Sequence, residues 1–170
     1  IIHVTKICSG SYFDLGLTTT GTVIVIGHLS LSPNYYGYEE LVSSLALVDN
    51  IVDLAISWEH IFLVKSNGSV MTFFEYLPED QWRYGELVFK TIPEITDVVA
   101  VYASPCRVFF LTRDHKILGW GIKGNNLHGS KYGLQLGWRY PNGKIKTLRC
   151  LKRVAEISCS YNHVLALLNN

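Results

Sequence analysis

The chain repeats itself, and no other feature narrows so far what it can fold into. Four segments superimpose without gaps: VTKICSGSYFDLGLTTTGTVIVIG from Val4, IVDLAISWEHIFLVKSNGSVMTFF from Ile51, VVAVYASPCRVFFLTRDHKILGWG from Val98, and VAEISCSYNHVLALLNN from Val154. The repeats start 47, 47 and then 56 residues apart, the last interval carrying a nine-residue insertion. Each opens on two apolar residues three apart, as in Ile51 and Leu54. A small residue follows at Gly10, Ser57, Ser104 and Ser160. An apolar run, a turn pair (Thr20-Gly21, Asn67-Gly68, Asp114-His115) and a second apolar run complete the unit.

Two apolar runs joined by a tight polar turn predict a β-hairpin, because Gly and Asn accept positive φ at little cost. The runs are apolar on both faces, as befits strands packed between neighbouring sheets. Hairpin units of this period predict propeller blades. Helical periodicity is weak throughout, Glu39 to Leu47 being the best stretch. The fold class is therefore all-β: a single propeller sector over 1–170, about three and a half repeats, starting near 4, 51, 98 and 154.

The pattern V-x-x-I-x-x-G/S-x-x-H-x-L-x-L-x-x-x-G-x-V-x-x-W-G resembles the repeat of the regulator of chromosome condensation family. Gly10, Gly21, His60, Gly68, Trp120, Gly121 and His163 stand at its recurrent positions. Phe13 and Arg107 replace the histidine in the other two copies, His115 replaces a turn glycine, and Phe74 the final one. The resemblance implies a seven-bladed ring, which this chain fills only in part. The missing blades are then expected from a longer parent chain or from another chain, since an open sector bares apolar faces and strand edges. Met71 is the only methionine and the last repeat is cut short, both of which point to the longer parent. The resemblance also implies guanine-nucleotide exchange on a Ran-like small GTPase, a role without bond chemistry.

Chemistry is hard to find in the residues themselves. Gly119-Trp120-Gly121-Ile122-Lys123-Gly124 matches G-x-G-x-x-G, but turn formers follow it where a phosphate-binding helix should begin. His3, His28, His60, His115, His128 and His163 are scattered without metal-ligand spacing. The shared position of His60 and His163 predicts a buried imidazole bonded to a neighbouring strand. His128, in a glycine-rich loop, remains as a surface contact. No hydrolase elbow, zinc-protease or P-loop motif is present, and Cys8 and Cys159 read as packing residues. Asn67-Gly68-Ser69 fits a glycosylation sequon but is also the hairpin turn of the second repeat. We expect no catalytic residue, no cofactor and no metal.

Composition supports a globular chain, with 48% hydrophobic and 17% charged residues. No apolar run is long enough to span a bilayer, and no signal peptide is visible. The expected location is intracellular, cytoplasmic or nuclear, without membrane contact.

Charge is the most informative functional feature. Residues 1–114 hold six Lys and Arg against thirteen Asp and Glu, whereas residues 115–170 hold nine against one. Arg139, Lys144, Lys146, Arg149, Lys152 and Arg153 crowd the insertion and its flank, with Trp138 and Tyr140 among them. Such a segment can grip phosphates and stack on bases, steer an acidic protein partner, or simply keep the surface solvated. Glu79 and Asp80, near Trp82 and Tyr84, form a weaker acidic counterpart. The leading expectation is a non-catalytic protein-protein interaction scaffold with partner-binding inter-repeat loops. The alternatives are the exchange role above, and chromatin or nucleic-acid contact through 139–153.

Overall fold

The computed structural model describes residues 2–10, 13–26, 38–57, 60–73, 89–104, 107–121, 145–149, 151–160 and 163–169. Within them each repeat folds into one antiparallel sheet. The first sheet orders β1 (Val4–Ser9), β2 (Asp14–Thr18) and β3 (Val23–Ile26). A helix, α1 (Tyr38–Ala46), follows where the sequence shows its best helical stretch. The second sheet runs β4 (Ile51–Ser57), β5 (His60–Lys65), β6 (Val70–Phe73) and β7 (Phe89–Thr91). The third repeats this with β8 (Val98–Ser104), β9 (Arg107–Thr112), β10 (Ile117–Gly121) and β11 (Lys146–Thr147). The fourth pairs β12 (Val154–Cys159) with β13 (Val164–Leu168).

The first strands β1, β4, β8 and β12 lie beside one another in that order, so the sheets stack as successive blades. Three apolar clusters fill the gaps. Leu15, Leu17, Ile51 and Leu54 meet between the first and second blades, where α1 adds Leu41 and Leu45 from one helical face. Phe62, Val64, Val98, Val101, Phe110 and Trp120 meet between the second and third. Phe109, Leu111, Val154 and Ile157 meet between the third and fourth. The strands must therefore be apolar on both faces, because each face serves a different junction. Phe62 is fully buried, with the Phe110 ring edge-on at 6.0 Å and Trp120 at 5.7 Å. These contacts are the favoured T-shaped kind for aromatic rings.

Every first strand carries a bulge at the same place. The register slips at Thr5, Val52, Val99 and Ala155, leaving one extra residue in each strand. A bulge sharpens local twist, and its recurrence gives all four blades the same entry geometry.

Candidate interaction surface

The surface is built on the way one blade is handed to the next. In each of the first three blades a turn joins the second strand to the third. Its geometry is constant: Gly21 N–H donates to Thr18 O at 3.1 Å, Gly68 N–H to Lys65 O at 2.8 Å, and His115 N–H to Thr112 O at 2.9 Å. All three turn residues have positive φ: 76°, 84° and 59°. The turn then docks on the residue that precedes the next blade. Gly21 O accepts the Ile51 amide and Gly68 O accepts the Val98 amide, both at 3.0 Å. The docked residues Asn50, Asp97 and Arg153 also have positive φ, at 57°, 57° and 54°.

Glycine has a steric reason here as well as a conformational one. A Cβ on Gly68 would stand 2.9 Å from Asp97 Cα and 3.1 Å from its nitrogen. At the third junction His115 keeps the turn but extends its ring over the following blade, Nδ1 lying 3.4 Å from Val154 O. Two non-glycine residues thus sit in the left-handed region at one junction, and Arg153 occupies a position held elsewhere by Asn and Asp, which tolerate that region better.

The rim changes charge with the same step. At the second junction the exposed positions hold Ser66, Asn67, Thr96 and Asp97; at the third they hold Arg113, Asp114, Lys152 and Arg153. The one carboxylate of the third set is spoken for, since Asp114 pairs with Lys116 at 2.6 Å. That contact holds the Asp114 carboxyl below its ordinary range. On the acidic side Asp49 makes a similar pair with Lys65 at 2.9 Å.

A second set of contacts ties the blades together nearer the first strands. Asp53, buried in β4, takes Lys6 Nζ of the first blade on one oxygen at 2.6 Å and the Val101 amide of the third on the other at 2.8 Å. Cys8 Sγ donates to Leu54 O at 3.3 Å, and Ser57 Oγ to Ser104 O at 2.6 Å. Tyr102 continues the series beside Ile157. Burial first, then the charges of Asp53 and Glu156, push its phenol up.

Of the expected partner-binding residues, Lys146 sits on edge strand β11, and Arg149, Lys152 and Arg153 are exposed on the path into β12. Trp138, Arg139, Tyr140 and Lys144 lie outside the described residues, as do His28, His128 and the acidic pair Glu79 and Asp80 with Trp82 and Tyr84. Arg113, His115 and Lys116 were not singled out as contacts by the sequence; docking of the turn beside Arg153 brings them to the same rim. The signal available was the register itself, which aligns each turn with the start of the next blade.

Gly10 closes its hairpin by donating its N–H to Phe13 O at 2.9 Å, and Gly121 ends β10 opposite Arg107. Trp120 is a core residue, and Gly119-Trp120-Gly121 lies within a strand. His60 is half-buried, Nδ1 3.3 Å from Ser57 O on the neighbouring strand. His163 departs from expectation, since its ring is exposed; no described blade covers that side. Asn67 behaves as a turn residue, its Oδ1 accepting from Ser69 N and Oγ at 3.0 and 2.8 Å. Cys8 and Cys159 are free and half-buried, and desolvation pushes the Cys159 thiol up to about 11. Among the described residues no group of three His, Cys, Asp or Glu is placed to hold a metal, and no helix is long and apolar enough to cross a membrane.

Similar architecture is found in Prp20p from Saccharomyces cerevisiae, at 15% identity and a TM-score of 0.61 over 98% of this chain. The fold is that of the regulator of chromosome condensation propeller. Human WBSCR16 gives the same identity and TM-score over 98% of the chain, and yeast RCC1 (Prp20) bound to Kap60 gives 14% and 0.57 over 97%. The chain spans 43%, 45% and 41% of these three proteins. No family model matches the sequence, and no curated protein does. Prp20p is described by its binding to Gsp1p and histones. The propeller likeness thus rests on blade geometry rather than on shared residues.

Proposed function

We propose that this propeller sector is a non-catalytic protein-interaction scaffold whose contact surface centres on the cationic rim of the third junction. The observation that carries this reading is the coincidence, at one junction, of exposed Arg113, Lys152 and Arg153 with two non-glycine residues in left-handed backbone. Strain of that kind is kept where another requirement outweighs stability. An acidic protein face is the partner that such a rim steers and orients. The inter-repeat segments 31–48, 75–94 and 122–150 extend the surface, with Trp138, Arg139, Tyr140, Lys144, Lys146 and Arg149 contributing from the last.

The binding of Prp20p to Gsp1p and histones supports a Ran-like GTPase and histones as two candidate partners. Competition with peptides copied from the three segments tests the scaffold reading: at least one should displace a bound partner, and displacement by none would refute the loop assignment. Exchange activity is the second reading. It predicts faster release of fluorescent nucleotide from a Ran-like GTPase, and a flat response across a GTPase panel would remove it. Contact with nucleic acid instead predicts binding to duplex DNA that weakens steeply with salt. Salt-insensitive or absent DNA binding would leave the protein partner.

A further inference from the structure

The turn between the second and third strands suits glycine, yet at one junction the chain keeps a histidine there. Gly21, Gly68 and His115 share the turn hydrogen bond and the left-handed backbone, with φ of 76°, 84° and 59°. A residue with a Cβ bears a steric cost in that conformation that glycine escapes. The two glycine turns dock on the next blade through their carbonyl oxygens alone, so blade stacking by itself does not call for an imidazole. His115 is exposed, and its neighbours are charged.

The ring is held in place from one side. Nδ1 lies 3.4 Å from Val154 O on β12. A backbone carbonyl can only accept, so Nδ1 carries the hydrogen and the neutral ring keeps its lone pair on Nε2. A proton therefore enters at Nε2 without breaking the contact to Val154, and the new charge arises at a fixed place on the rim. The charged neighbours on its own turn are Arg113, Asp114 and Lys116; those on the blade it leans over are Lys152 and Arg153. Asp114 is taken by Lys116 and by the Thr112 hydroxyl, which leaves Arg113, Lys152 and Arg153 as the local surplus of charge. Two further carboxylates border the site. Asp97 accepts the Arg113 amide on its backbone oxygen, and Glu156 lies further along β12 beside Tyr102.

We propose that His115 is a proton-responsive contact of this rim: with Nε2 protonated it joins Arg113, Lys152 and Arg153 in holding the carboxylates of an acidic partner segment, and with Nε2 neutral it drops out. The inference rests on the rim reading above and adds a regulation to it. Histidine is the side chain that ordinarily changes charge between about pH 5 and 8. Aspartate carboxylates, ordinarily titrating near about 3.9, stay ionised over that range. Affinity for an aspartate-rich segment therefore rises as the pH falls.

Binding of a fluorescent oligo-aspartate peptide, measured at constant ionic strength near about pH 8 and about pH 5.5, tests it. Wild type should bind about two- to fivefold more tightly at the lower pH, the worth of one added exposed ion pair. His115→Gln should bind equally at both. His115→Lys, with a fixed charge, should also bind equally at both, and at least as tightly as wild type at the lower pH. Should His115→Gln melt below wild type, His115→Gly, which restores the residue of the other two turns, takes its place. Arg153→Asn, which puts the first junction's residue at the third, should weaken binding at both pH values. Equal wild-type affinity at the two pH values, or a pH ratio that persists in His115→Gln, would overturn the inference and leave the rim reading standing. No wild-type binding at either pH, or binding that Arg153→Asn leaves unchanged, would remove the rim reading and this inference with it.

Discussion

The second and third blade junctions share a backbone and differ in almost everything exposed. At the second, Gly68 lies flat on Asp97 and the rim is neutral to acidic; at the third, His115 takes the glycine position and Arg153 the acid's. The turn hydrogen bond survives the exchange, at 2.8 Å in one case and 2.9 Å in the other. Beneath both rims lie packed clusters of similar make-up. Blade stacking is thus specified by buried apolar pairs and backbone hand-off, which leaves the rim free to vary. The second junction pairs a left-handed glycine with Asp97, whereas the third pairs His115 with Arg153 at the same two positions.

The largest effect should come from the core common to both. Phe62→Ala removes the ring that meets Phe110 and Trp120, and thermal or urea unfolding should show a loss of about 3–5 kcal/mol. Leu165 holds the equivalent position on the fourth blade and is 72% exposed, so Leu165→Ala should cost less than about 0.5 kcal/mol. Equal losses at the two positions would mean that the fourth blade's outer face is already buried.

Asp53→Ala comes next, at about 2–3 kcal/mol, because it strands the Val101 amide in a buried junction and frees Lys6 from its partner. A loss well below 1 kcal/mol would show that water replaces the carboxylate.

Gly68→Ala and His115→Gly sharpen the contrast between the turns. The first adds a Cβ against Asp97 at positive φ and should destabilise by about 1–3 kcal/mol. The second relieves a left-handed histidine and should be neutral or stabilising by up to about 1 kcal/mol. Opposite signs are expected in parallel melts; equal losses would show that the His115 ring is needed for the fold.

The smallest effect concerns the thiols. Desolvation raises Cys159 to about 11 from an ordinary 9.0, so at pH 8 its alkylation by iodoacetamide should be slower than in the unfolded chain by roughly ten- to a hundredfold. A thiol ionising later in the folded state favours unfolding at alkaline pH. Stability should therefore hold below pH 9 and decline between about 9 and 11; rapid alkylation of native Cys159 at pH 8 would contradict its burial.

Much of this architecture was legible in the sequence, because each repeat states the same apolar spacing and turn. The hairpins and the turn glycines at 21 and 68 follow from that register, whereas α1 does not, since helical periodicity over Glu39 to Leu47 is weak. The outermost strands β7 and β11 were not legible, being three and two residues long with mostly exposed side chains. The bulges at Thr5, Val52, Val99 and Ala155 leave no mark in the sequence because they interrupt no hydrophobic pattern. Asp53 reads as an ordinary surface acid, and only stacking reveals that it bridges three blades. The candidate rim was half legible: Lys146, Arg149, Lys152 and Arg153 stand out as a charge run. Arg113 and His115 join them only because the turn of one blade docks on the start of the next.

Transplanting one rim onto the other separates partner binding from blade stacking. A chain carrying Arg113→Ser, His115→Gly, Lys152→Thr and Arg153→Asp would have the second junction's residues at the third. Its melting temperature and its binding to a purified Ran-like GTPase and to histones should be measured beside wild type. Wild type should bind at least one of them measurably, and the transplant should lose that binding with an unchanged or raised melting temperature. Wild-type binding that survives the transplant, or a transplant that no longer folds, would contradict it.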